Sequence, residues 1–231
     1  MKLLFKFFLI PCFLMTVLSC EVQLEDNTRI LVEGTIKDQD NMPISEAKIS
    51  VLTKRGNFTG GENQYILGEG YSNADGHFSV ISLYDRDEDF AIEIDGGDAY
   101  STYVYKTNTL EYTPLDLTFN LETVSLKKLA AFNYNMVRTS GESYTLRYSF
   151  KYIEGFCLEY YEGITLNEFQ SSCYEERVVS RFLNDSNPDF EWLLYVPLGE
   201  IVEFTYSIND EPEITEFITI NEDNYDFTFT Y

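Results

Sequence analysis

The chain has 231 residues, with 39 acidic against 16 basic side chains and a formal net charge of −23. A hydrophobic content of 44% supports a packed core and excludes general disorder. So acidic a balance lacks the basic footprint that nucleic acid phosphates or anionic lipid would require, and no nucleic acid partner is expected. The one histidine, His77, excludes a zinc site built on two or three histidines. Eighteen Tyr and eighteen Phe favour strands.

Residues 1–19 read as an export signal peptide. Lys2 and Lys6 precede a twelve-residue apolar stretch, Phe7 to Leu18, interrupted only by Pro11 and Thr16. That is short of the ~20 residues a membrane span needs. Val17-Leu18-Ser19-Cys20 resembles a bacterial lipobox. The resemblance implies that Cys20 becomes the first mature residue and carries lipid, anchoring the protein at the outer membrane with ~0.8 kcal/mol per buried CH₂. Cleavage before Cys20 would remove two lysines and no acids, leaving a net charge of −25. Glu21, Glu25 and Asp26 resemble the surface-export signals of Bacteroidota lipoproteins, which implies the cell surface, with the periplasmic face as the alternative. Residues 20–27 are expected to form a polar tether.

Residues 28–123 carry short alternating segments separated by turn residues, with strands expected near 29–37, 47–53, 65–71, 77–83, 89–94, 100–106 and 115–122. No sustained helical period is present, and seven short strands indicate an antiparallel β-sandwich. Asp75-Gly76 is a strong hairpin signal, and Asn41 suits a left-handed turn between the first two strands. Asp95-Gly-Gly-Asp98 reads as another hairpin turn.

Three blocks in order are similar to the carboxypeptidase regulatory-like domain: Val32-Glu-Gly-Thr-Ile-Lys-Asp38, Pro43-Ile-Ser-Glu-Ala-Lys-Ile-Ser-Val51 and Ser72-Asn-Ala-Asp-Gly-His-Phe78. The resemblance implies a transthyretin-like, seven-stranded sandwich of the carbohydrate-binding-like group. Such domains accompany peptidases and TonB-dependent transporters but carry no catalytic residues themselves, so a scaffold or binding role follows from it.

Residues 124–231 are expected to form a second, Ig-like antiparallel sandwich. Its clearest strand is Tyr144 to Tyr152, with strict alternation across nine positions. Further strands are expected near 128–135, 156–161, 174–182, 190–196, 200–207, 213–219 and 225–231. Thr165 and Glu168 have capping-box spacing, which suggests a short helical turn. Trp192, inside the apolar run Phe190 to Tyr195, is expected in the core.

Cys157 and Cys173 are an even pair in an oxidising compartment, and a disulfide between them would contribute ~3 kcal/mol. Separate buried thiols are the alternative. Asp85, Asp87 and Asp89 alternate like calcium ligands, but Phe90 and Gly96 stand where the loop needs Gly and Glu. They read as a solvated acidic loop, and neither metal nor cofactor is expected. Tyr103 and Tyr105 share a face, and one of the adjacent Tyr160 and Tyr161 must face outward. Tyr103, Tyr105 and Tyr161 are therefore the candidate ligand-facing aromatics, able to stack a sugar ring or anchor a protein, with cross-strand packing on a half-buried sheet as the alternative for each. No Gly-x-Ser-x-Gly, His-Glu-x-x-His or Walker motif occurs, so catalysis is not expected. Two functions fit: a lipid-anchored scaffold in an outer-membrane protein complex, with a TonB-dependent transporter as a partner, or a surface glycan-binding lipoprotein.

Overall fold

A computed structural model describes residues 24–56, 62–86 and 89–231; the signal segment 1–19, Cys20 and Asp87 lie outside the described residues. The first part of the chain forms β1 (Leu24–Asp38), β2 (Lys48–Gly56), β3 (Glu62–Tyr71), β4 (His77–Asp85), β5 (Asp89–Asp95), β6 (Thr102–Thr107) and β7 (Thr118–Leu126). A 3-10 turn, Gly97–Ala99, joins β5 to β6, and the Asp95 carboxylate accepts the Gly97 N–H there. Next come β8 (Leu129–Val137), β9 (Leu146–Ile153), β10 (Phe156–Glu162), β11 (Thr165–Leu166) and β12 (Ser172–Cys173). The chain ends with β13 (Glu176–Leu183), β14 (Phe190–Pro197), β15 (Ile201–Ile208), β16 (Ile214–Thr219) and β17 (Asn224–Thr230).

The architecture is all-β, with two sandwiches. In the first, a three-stranded sheet β4-β1-β7 packs on β3-β2-β5-β6-β10, which β11 and β12 extend. Strict alternation supplies the core: Ile30, Val32, Phe78, Val80 and Phe119 from one sheet meet Ile49, Val51, Phe90, Ile92 and Ile94 from the other. In the second sandwich β13-β9-β15-β16 packs on β14-β8-β17. Its core is aromatic: Phe150 stacks on Phe204 at 4.9 Å, and Phe132 meets Phe150 edge-on at 5.4 Å.

The structure corrects several expectations. Three of the four sheets are mixed rather than antiparallel, because β1 with β7, β6 with β10 and β8 with β17 pair in parallel, and only β13-β9-β15-β16 is antiparallel throughout. Each parallel partner arrives after an excursion through other strands, which is what parallel pairing requires. A boundary at residue 124 does not separate the sandwiches either. The chain makes β8 and β9 in the second sandwich, returns to add β10, β11 and β12 to the first, and goes back with β13. The return is anchored where the Thr102 N–H donates to the Gly155 carbonyl at 3.0 Å. β1 begins at Leu24, inside the expected tether, where Leu24 lies opposite Asp85.

The Asp75-Gly76 turn carries the chain from one sheet to the other instead of closing a two-stranded hairpin, since β3 pairs with β2 and β4 pairs with β1. Gly76 has φ +75, and a Cβ there would lie 2.3 Å from the Ile36 carbonyl oxygen. Asn41 is left-handed at φ 62. Between the two short strands β11 and β12, a single turn starts at Asn167, not Thr165: the Asn167 Oδ1 accepts the N–H groups of Phe169 and Gln170. The Thr165 backbone is committed to pairing opposite Glu162.

Two adjacent lysines bind the sandwiches together. Lys128 reaches the Asp38 carboxylate at 3.3 Å, while Lys127 reaches Glu200 at 3.0 Å and lies over the Tyr174 ring at 4.6 Å.

Candidate functional site

The two sheets of the first sandwich differ in width, and that difference makes a cleft. β6 and β10 overhang β7, which among the described strands pairs only with β1. The parallel register sets Cys157 opposite Tyr103, Glu159 opposite Tyr105 and Tyr161 opposite Thr107, so these six side chains share the inward face. The overhang is therefore lined by Tyr103, Tyr105 and Tyr161 instead of being capped by a second sheet. Phe119 and Glu122 of β7, Tyr112 and Pro114 of the preceding loop, and Gly163 and Ile164 close the other sides. The cleft has a volume of about 460 Å³, within the range of small-molecule sites.

An aromatic series runs from the core to the opening. Phe90 stacks on Phe119 at 5.0 Å, Tyr105 meets Phe119 edge-on at 6.1 Å, and Tyr105 stacks on Tyr161 at 4.7 Å. Beneath the rings lies the half-buried Glu159. Its Oε2 accepts the Tyr103 hydroxyl at 2.6 Å and the Tyr161 hydroxyl at 3.0 Å. Burial first, and then this carboxylate, holds the Tyr103 phenol well above the usual tyrosine range. Burial and the neighbouring Tyr112 and Tyr161 do the same for Tyr105. Tyr161, nearer the opening, is pushed up to about 12 by burial and the Glu159 hydrogen bond.

The opposite wall is a β-bulge. Glu33 pairs with Asn120 and Thr35 with Thr123, so β7 carries one extra residue. Glu122 there is left-handed at φ 51, with its N–H donated to the Asn120 Oδ1 at 2.8 Å. Glu122, an exposed residue of the bulge, is among the residues that line the cleft.

The three candidate tyrosines thus come together, but as walls of a cleft and not as a solvent-facing sheet: Tyr103 and Tyr105 are each only 8% exposed. Cys157 and Cys173 lie directly opposite one another on β10 and β12 and form a disulfide. Glu159 lies close to both sulfurs, which are bonded to each other. The described aspartates of the acidic loop are elsewhere: Asp85 is buried at the end of β4, and Asp89 pairs with Lys106 at 2.5 Å. His77 is exposed at the start of β4, where its N–H donates to the Asn73 side chain.

Sequence reasoning missed Glu159, Phe119, Tyr112 and Glu122. Glu159 was accessible in principle, because it shares parity with Cys157 and Tyr161 and so puts a carboxylate on the inward face of a strand. Glu122 and Tyr112 depend on a bulge and a loop path, for which the local sequence holds no signal. Trp192, expected in the core, is 57% exposed. It lies opposite buried Tyr134, but on the edge strand β14, where nothing on the described chain covers its outer side. It stacks on Phe190, which Arg181 covers at 4.0 Å.

No family model matches the chain, and no curated protein sequence matches it. Solved structures with some likeness include a 9R-lipoxygenase from Cyanothece PCC8801, at 14% identity and TM-score 0.30, covering 51% of this chain and 20% of that one. A streptococcal ancillary pilin matches at 11% identity and TM-score 0.33, covering 89% of this chain and 63% of that one. The tip fimbrial protein Mfa3 from Porphyromonas gingivalis matches at 11% identity and TM-score 0.28, covering 83% of this chain and 82% of that one. The chain thus spans about a fifth of the lipoxygenase and less than two thirds of the pilin. TM-scores this low carry no argument about function.

Proposed function

We propose that the protein is a non-enzymatic binding module of the bacterial cell envelope, lipid-anchored through Cys20 at the outer membrane with its sandwiches at the cell surface. The single observation that carries the binding role is the tyrosine cleft, where Tyr103, Tyr105 and Tyr161 converge with Tyr112 and Phe119 in about 460 Å³. Among the described residues its lining holds one carboxylate, Glu122, and no histidine, cysteine, lysine or arginine to act as base, nucleophile or acid beside it. Binding suits that inventory better than catalysis. The partner class is an outer-membrane assembly such as a TonB-dependent transporter, by analogy with the regulatory-like domains that the three sequence blocks resemble.

Anchoring is tested with Cys20→Ala, which should move the protein from the membrane fraction to the soluble one and abolish acyl-chain labelling. Retention of the variant in the membrane would sink the lipid anchor. Partnering is tested by crosslinking in intact cells. A stoichiometric membrane protein should be captured with the natural chain and lost with Tyr161→Ala; capture unaffected by the substitution would remove the cleft from the function.

A second reading, surface glycan binding, draws support from Trp192, whose exposed ring stacks on Phe190 at the edge of the second sandwich. Retardation in polysaccharide gels that disappears with Trp192→Ala would favour it.

A further inference from the structure

We infer that the tyrosine cleft takes an organic cation, an ammonium or guanidinium head, in preference to a neutral ligand such as a sugar; this rests on the reading of the cleft as the ligand site. Five of the twelve lining residues are aromatic, Tyr103, Tyr105, Tyr112, Phe119 and Tyr161, and a ring face attracts positive charge through its quadrupole. Two of those rings are tuned in the same direction. The hydroxyls of Tyr103 and Tyr161 both donate to the Glu159 carboxylate, at 2.6 and 3.0 Å, which shifts electron density into the phenol rings.

Charge agrees with ring chemistry. Exposed Glu122 is among the lining residues and Glu159 lies beneath the rings, while no lysine, arginine or histidine is among the described residues that line the cleft. Lys106, on β6 beside Tyr105, belongs to the opposite face of the sheet and is paired with Asp89. The site thus brings together aromatic rings and carboxylates without a basic side chain in its lining. The whole chain, at −23, adds a field that attracts cations and repels anions. Two sources carry the required head: a free quaternary amine, or an arginine or lysine side chain on a partner.

The test titrates the full chain in detergent with choline, with arginine amide, and with 3,3-dimethylbutan-1-ol, the uncharged isostere of choline, reading tyrosine fluorescence. The cations should saturate, and the isostere should bind about tenfold more weakly or not at all. Stronger choline binding points to a free amine, and stronger arginine amide binding to a partner side chain. Tyr161→Ala should weaken the cations about tenfold, and Glu122→Gln, which leaves every ring in place, should weaken them several-fold. Equal binding of choline and its isostere would overturn the inference, as would saturation by neither cation or cation binding indifferent to both substitutions. Neutral binding that is lost with Tyr161→Ala would keep the cleft as the site while removing the cation. Binding indifferent to Tyr161 would remove both.

Discussion

Tyr105 and Tyr161 stack with their ring centroids 4.7 Å apart, although the chain builds β8 and β9 of another sandwich between them. The cleft therefore exists only when both halves of the chain are in place. A fragment ending at Leu126 would keep β1 to β7 but lose β10, uncovering Tyr103, Tyr105 and Val104. It should bind a hydrophobic dye and unfold at a lower urea midpoint than the whole chain, with loss of ~1.5–3 kcal/mol for each large side chain laid open. A fragment with the stability of the first transition in the whole chain would show that β10 adds nothing to the sandwich.

The disulfide fixes β12 to β10 at the outer edge of the same sheet. It closes a loop with a sequence separation of 16, so replacing both cysteines by serine should cost roughly 3 kcal/mol. The measurement is the urea midpoint of the double variant against the oxidised chain. Reduction of the natural chain should give a shift of similar size, and no shift in either experiment would mean that β12 is held by its backbone hydrogen bonds alone.

Alkaline pH should destabilise the fold through the cleft phenols, as through the buried phenols of the second sandwich. Tyr103, Tyr105 and Tyr161 all have phenols raised above the unfolded value of ~10, with Tyr161 at about 12. A group raised on folding contributes stability that is complete below its unfolded value and is lost as pH rises through the folded one. The contribution of these phenols should therefore be complete up to about pH 10 and fall above it. Absorbance of tyrosinate should show Tyr161 ionising near pH 12, with Tyr103 and Tyr105 ionising only as the chain unfolds. Glu159→Gln removes the half-buried negative charge, so it should lower the Tyr161 value while keeping a hydrogen-bond acceptor.

The Lys128–Asp38 pair should mark the acid limit. Burial alone would raise the Asp38 carboxyl, but the N–H groups of Met42 and Asp40 and the Lys128 ammonium together hold it below the usual range. A lowered carboxyl contributes stability present above its unfolded value of ~3.9 and lost as pH falls through the folded one. Lys128→Met should reduce this dependence without abolishing it, because the two N–H donors remain. Urea midpoints between about pH 5 and pH 2 test this: the curves of the variant and the natural chain should converge at the acid end. A constant gap across that window would rule out the ion pair as its cause.

Much of the local structure was legible along the chain. Alternation marked the seven strands before residue 127 and the long strand β9, because period-two patterning leaves a wet face and a dry face. The Asp75-Gly76 turn and the left-handed Asn41 were marked by residue chemistry, since few residues tolerate positive φ. The shared parity of Tyr103 and Tyr105 was readable for the same reason. Their surroundings were not: parity tells which side chains point together, and nothing about what stands in front of them. Trp192 shows the same limit, for its parity is inward, yet its strand is an edge.

The sequence by itself determined that the chain is all-β, where most strands begin and end, and which residues turn it, because those properties are set within a few neighbouring residues by alternation and by backbone sterics. The tertiary structure alone decided which sandwich owns β10, that three strand pairs run parallel, and that Tyr103, Tyr105 and Tyr161 wall a cleft around Glu159. Strand partners are chosen by burial and hydrogen bonding between segments far apart in the chain, and no local pattern records the choice.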